Sequence, residues 1–116
     1  MESPSILDST VIDDLVDMFD GDRGILHELI DVFVGDAPQQ VASLLGAFEE
    51  GDLASTRGVA HSLKSSSATL GGTALSELCR LIEQSGGSGA EIESLVHQVP
   101  TAFQETRSAL VIERNR

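Results

Sequence analysis

Apolar residues recur at steps of three and four along nearly the whole chain, and the two-residue alternation of a half-buried strand is almost absent. That periodicity restricts the chain to packed helices. Val11, Ile12, Leu15, Val16 and Phe19 form a short first stripe, with Ser9 as its expected cap and Asp20-Gly21-Asp22 as its stop. Leu26, Leu29, Phe33, Ala37, Val41, Leu44 and Phe48 continue as a second face, about 33 Å long if wholly helical. Pro38 lies inside that run and is expected to kink the helix or divide it near Gly35-Asp36. Gly51-Asp52 breaks the pattern, and Asp52 is placed to cap a third stretch that carries Leu53, Thr56, Ala60, Leu63, Ser67 and Leu70 on one side. Gly71-Gly72 ends it. Gly72 or Thr73 opens a fourth, with Leu75, Leu78, Cys79 and Ile82 inward. Ser85-Gly86-Gly87-Ser88-Gly89 reads as a flexible loop. The last stripe is Ile92, Leu95, Val96, Val99, Phe103, Thr106 and Leu110, with Pro100 as an expected kink. Arg107, Arg114 and Arg116 lie toward its end, where positive charge suits the helix dipole. Five such segments with short connections predict an all-α fold: an antiparallel four-helix bundle with an additional short N-terminal helix packed across one end.

With 116 residues the chain is expected to be a single domain over 1–116, its core running from about 7 to 112. The core must be aliphatic, because there are four Phe and no Trp or Tyr. Nineteen acidic residues against seven basic ones give a net charge of −12. A field of that sign repels polyanions, so neither nucleic acid nor an anionic membrane is expected as a partner. The single Cys79 excludes an internal disulfide and a cysteine-rich zinc site. Met1-Glu2-Ser3-Pro4 lacks a basic segment followed by an apolar one, and no apolar stretch approaches the roughly 18 residues that span a bilayer. A cytoplasmic location is the expectation.

The informative stretch runs from Arg57 to Gly71. If it is helical with Ala60, Leu63 and Ser67 inward, His61 is rotated about 100° from Ala60, off the centre of the buried face. Its neighbours one turn away are Arg57 and Gly58 on one side, Lys64 and Ser65 on the other; Ala54 and Ala68 lie two turns out. Lys64 is the chain's only lysine. An imidazole on a surface of small side chains, flanked by cations in an acidic protein, is where an anion would be tolerated. A neutral ring nitrogen can attack phosphorus, and a nearby ammonium can neutralise the phosphoryl oxygens. A solvated His/Lys pair is the plain alternative from spacing alone.

The segment Ala60-His61-Ser62-Leu63-Lys64-Ser65-Ser66-Ser67-Ala68-Thr69-Leu70-Gly71 resembles the signature of histidine-containing phosphotransfer (HPt) domains, approximately A-H-x-L-K-G-S-[SA]-x-x-[LVI]-G. The resemblance extends from about Leu7 to Leu110. It includes Phe33 to Pro38, read as F-x-x-x-A-P, and Leu75 to Glu83. It implies that His61 is the phosphorylated residue, with Nε2 the reacting nitrogen, that Lys64 is the cation beside its phosphoryl group, and that Gly71 ends the helix. Ser65 departs from the family's common glycine, and its hydroxymethyl group could narrow docking or donate a hydrogen bond. Arg57 is added from the helical wheel as an accessory cation.

The implied function is a phosphorelay intermediate that passes a phosphoryl group between aspartates of response-regulator receiver domains. The docking face would surround His61 and include Ala54, Gly58, Ser65 and Ala68. Receiver domains and a hybrid sensor histidine kinase are the implied partners. A monomer is expected, with no cofactor of its own and magnesium held by the receiver. No nucleotide-binding motif is present, so neither ATP binding nor autokinase activity is expected. The alternative is a helical adaptor that docks a receiver without carrying phosphate. A histidine-kinase dimerisation domain would need an ATP-binding domain for which the chain has no room.

Other candidates fail on chemistry. His27 and His97 read as half-exposed helix histidines. His27-Glu28-Leu29-Ile30-Asp31 is not a zinc-hydrolase motif, since its fifth residue is Asp. Ser65-Ser66-Ser67 lacks a nucleophile elbow, and Asp13, Asp14, Asp17, Asp20 and Asp22 read as a solvated face without calcium-loop spacing. Cys79 is expected to be a small core residue.

Overall fold

The computed structural model describes residues 6–85 and 89–116. Among these the chain forms α1 (Ser9–Met18), α2 (Arg23–Glu49), α3 (Leu53–Thr69), α4 (Thr73–Gln84) and α5 (Gly89–Arg114), with no strand. Three-residue turns reverse the chain between α2 and α3 and between α3 and α4. Gly86, Gly87 and Ser88 of the expected glycine-rich loop lie outside the described residues; Gly89 already belongs to α5. Helix α2 packs on α3, α3 on α4, α4 on α5 and α5 on α2, which closes the four-helix bundle. The extra helix α1 rests against α2.

The apolar stripes face inward much as their spacing dictates. Leu26, Ile30, Leu44, Leu63, Leu75, Ile82, Val96 and Leu110 are fully buried, and Phe33 meets Phe103 with ring centroids 6.0 Å apart. Three buried hydroxyl side chains fit this core by bonding their own helices: Ser67 Oγ donates to Leu63 O at 2.8 Å and Thr106 Oγ1 to Ala102 O at 2.8 Å, while Thr56 Oγ1 donates to Asp52 O. The weakest stripe is the first. Only Ile12 of α1 is buried, Leu15 and Val16 are half-buried, and Phe19 is exposed beyond the helix end.

Two local expectations are corrected. The N-cap of α1 is Asp8, not Ser9; its carboxylate accepts from the Thr10 N–H at 3.0 Å. The Asp8 N–H donates to the Gly71 carbonyl at 2.7 Å, and Asp8 has the extended backbone that a cap requires, so the helix starts at Ser9, one residue earlier than Ser9 capping would allow. Helix α2 is not divided near Gly35-Asp36; it runs unbroken through Pro38. The proline is exposed, whereas Phe33, Ala37 and Val41 on either side of it are buried in the bundle. Packing of that continuous face outweighs the single hydrogen bond the ring removes. Pro100 likewise lies within an uninterrupted α5.

The turn between α3 and α4 locks these helices to their neighbours. Gly71 has φ of +76°, and a Cβ there would stand 2.8 Å from the Asp8 carbonyl oxygen. At Gly72 a Cβ would come within 3.0 Å of the Thr106 methyl on α5. No described helix is long and apolar enough to cross a membrane.

Candidate functional site

Helix α3 starts at Asp52, whose carboxylate accepts from the Ser55 N–H at 3.0 Å and the Ser55 hydroxyl at 2.6 Å, as its sequence position predicts. Ala60 and Leu63 are completely buried and fix the rotation of the helix. His61, one residue after Ala60, therefore projects at the edge of the buried face. Its side chain is 60% exposed. Ala54, Gly58, Ser65 and Ala68 are exposed with it on one outward stripe, so the small-residue surface inferred from the helical wheel is present. A shallow groove between α2 and α3, lined by Asp36, Gln39, Gln40, Gly58 and Ser62 among others, opens beside it.

Helix α4 contributes the residue that the sequence reading missed. Cys79 and Ile82 are fully buried and set the rotation of α4, so Glu83, one residue after Ile82, turns toward α3. The two edge positions meet. His61 Nδ1 lies 2.6 Å from Glu83 Oε2, and Lys64 Nζ donates to Glu83 Oε1 at 2.5 Å. One carboxylate thus holds both signature residues. Lys64, with its hydrogen bond to Glu83, is the main cause holding the Glu83 carboxyl below the usual carboxylate range, and the His61 hydrogen bond acts in the same direction against partial burial. An ionised carboxylate only accepts, so Nδ1 carries the proton and the Nε2 lone pair is left on the far side of the ring. In that tautomer Nε2, not Nδ1, is the ring nitrogen whose lone pair is available to act as a base or nucleophile.

Arg57 takes a different direction from Lys64. Its guanidinium donates to the Ser85 carbonyl at 3.1 Å and ties α3 to the C-terminal end of α4. Ser65 Oγ donates to the His61 carbonyl at 3.2 Å within its own helix, so its hydroxyl is turned onto the backbone. Gly71 ends α3 in the left-handed conformation just described.

The remaining candidates stay apart from this constellation. His97 is exposed and meets the Phe48 ring edge-on at 6.3 Å. His27 is half-buried, and its Nε2 is enclosed without a hydrogen-bond partner, more secluded than a half-exposed helix histidine should be. Burial pushes the Cys79 thiol up to about 12, which removes it as a nucleophile. Among the described residues no group of three or more His, Cys, Asp or Glu side chains could hold a metal ion.

Two comparisons with known proteins agree with this geometry. The family model described as "Hpt domain" matches residues 28–109. The chain is also similar in structure to the crystal structure of histidine-containing phosphotransfer protein B from Pseudomonas aeruginosa PAO1, with a TM-score of 0.85 and 29% sequence identity over 98% of each chain. No curated protein sequence matches significantly.

Proposed function

The chain belongs to the Hpt domain family, whose work is histidine phosphotransfer in a phosphorelay, and on that premise we propose that His61 is the residue that carries the phosphoryl group. The observation that supports it is the Glu83 carboxylate against Nδ1 of an exposed His61 side chain, which holds the proton on Nδ1 and leaves Nε2 unprotonated with its lone pair free. Family members are phosphoryl carriers that work with receiver domains and kinases. In this chain the Nε2 lone pair attacks the phosphorus of a receiver's aspartyl phosphate, and the aspartate carboxylate leaves as the N–P bond forms. The second transfer reverses those roles with another receiver. Lys64 lies on the same edge as His61 and faces the phosphoryl oxygens as charge develops on them. Arg57 supports the site through the Ser85 carbonyl.

The docking face is the exposed stripe of Ala54, Gly58, Ser65 and Ala68, where no long side chain blocks close approach of a receiver carboxylate. Magnesium in the reaction is held by the receiver. The carrier neither binds ATP nor phosphorylates itself, works as a monomer in the cytoplasm, and takes its phosphate from the receiver of a hybrid kinase or a stand-alone regulator. The test is intact mass after incubation with magnesium, acetyl phosphate and a panel of receiver domains. An acid-labile gain of one phosphoryl group that disappears in His61→Gln is the expected result. A gain that persists in that variant refutes the assignment.

A further inference from the structure

We propose that Glu83 is a positioning residue that keeps the proton on Nδ1 of phosphorylated His61, so that the ring departs as neutral imidazole when the phosphoryl group moves on. The inference rests on His61 being the phosphoacceptor and adds a second role to the contact that orients it.

When Nε2 attacks phosphorus with Nδ1 protonated, the ring gives up a lone pair and becomes cationic. The balancing negative charge leaves on the aspartate carboxylate of the donor. In the outward step a receiver carboxylate oxygen bonds to phosphorus, the P–N bond breaks, and its electron pair returns to Nε2. With the Nδ1 proton still in place, neutral imidazole leaves. Without it, the leaving group is imidazolate, a far stronger base and a far poorer leaving group. Transfer in both directions therefore depends on where that one proton resides.

The charges around the ring favour keeping it. From α4, Glu83 Oε2 sits 2.6 Å from Nδ1 and offers an anion to the cationic ring. From α3, Lys64 opposes this, but its ammonium is bonded to the other oxygen of the same carboxylate, and Arg57 is turned to the Ser85 carbonyl. Arg80, one turn before Glu83, is paired with Glu77 and bonded to Gln84. On α2 the nearest acidic side chain lining the neighbouring groove is Asp36, across Gly58 and Ser62. The Glu83 carboxylate is thus the charge in direct contact with Nδ1.

Glu83→Gln separates charge from orientation, because the amide oxygen can still accept from Nδ1. The measurement is rapid-quench transfer from phospho-His61 to one receiver between about pH 6 and about pH 9, for the wild type and the variant. The ratio of the two rates cancels the receiver's own titration. That ratio should rise from about 2 at the acid end to about 10 or more at the alkaline end, as the variant loses its Nδ1 proton first. A ratio that is constant with pH, whether near 1 or large, overturns the inference, since a merely structural role slows every pH alike. Lys64→Met provides a second check: it removes a cation but leaves the His61–Glu83 contact. It should slow transfer without the loss growing toward high pH, and a loss confined to high pH would also overturn the inference. Labelling that survives His61→Gln defeats the underlying assignment instead, so the two failures are distinct.

Discussion

At the scale of single residues, the candidate site is an oriented imidazole beside a restrained cation. Lys64 is partly buried, with 28% of its side chain exposed, and is held by the Glu83 carboxylate at 2.5 Å. To serve a phosphoryl group it has only to share or exchange that partner; the helix need not move. Lys64→Ala should therefore slow phosphotransfer by roughly 10- to 100-fold, below the largest losses seen for donors in enclosed sites, because solvent can partly replace it. Its circular dichroism should be unchanged; rates equal to wild type would remove the ammonium from the mechanism. That His61 and Lys64 share one helix face was legible from their spacing of three residues, and their candidate roles from the resemblance to the HPt signature. Glu83 was not. It comes from the next helix, and its meeting with His61 depends on the register of α3 against α4, two packed helices that bury Ala60 and Leu63 on one side and Cys79 and Ile82 on the other. The one signal available was an acidic residue immediately after a buried position on the helix that follows the motif. Arg57 lies one turn before His61 on the same helix, as the helical wheel places it, and its long side chain reaches the Ser85 carbonyl at the end of α4, a bond that spacing within one helix does not reveal.

At the scale of elements, the α3–α4 turn concentrates the constraints. Gly71 combines a positive φ with a close approach to Asp8, and its carbonyl accepts the Asp8 N–H that starts α1. Any side chain at 71 must shift the α1 start or the turn. Gly71→Ala should cost about 2 kcal/mol or more of unfolding free energy, measured by urea denaturation. A change below about 0.5 kcal/mol would mean that the turn adjusts freely. The helices themselves were readable because a 3.6-residue period with glycine-containing breaks has one simple solution. Pro38 does not divide α2, because it falls inside a stretch committed to the core by Phe33, Ala37 and Val41. Local propensity opposes a helix there, but the tertiary contact dominates. Asp8 was missed as a cap for a related reason: its role depends on the hydrogen bond to Gly71, 63 residues later in sequence, a partner invisible to a local rule.

For the whole molecule, charge is the governing quantity. Among the described residues only Asp31, Glu77, Glu83 and Glu113 are paired with a cationic or histidine side chain, in a chain with 19 acidic residues and a net charge of −12. Exposed pairs of this kind contribute little, because solvent screens them. The repulsion among the other carboxylates acts across a body with extents of 45 × 33 × 20 Å. At about 20 mM salt the screening length is roughly 20 Å, and at about 200 mM it is roughly 7 Å. Salt therefore weakens the long-range repulsion more than the contacts within 3.5 Å, and the Tm should rise by several degrees over that range. A falling Tm would mean that the ion pairs outweigh the net charge. Acid acts through two opposing effects. Protonating unpaired carboxylates relieves repulsion, which raises stability as pH drops from neutrality. The carboxyls of Asp31 and Glu77 are held below the usual range first by hydrogen bonds from Arg114 and Arg80, and those of Asp52 and Glu83 by Ser55 and Lys64. A depressed folded value contributes stability that is present above the unfolded value and is lost as pH falls through the folded one. The two effects cross on the acid side of neutrality. Thermal stability should thus peak between about pH 4.5 and 6 and collapse below about pH 4. A peak at or above pH 7 would show that relief of the excess negative charge adds nothing, and that the loss of the paired carboxylates dominates the whole acid range.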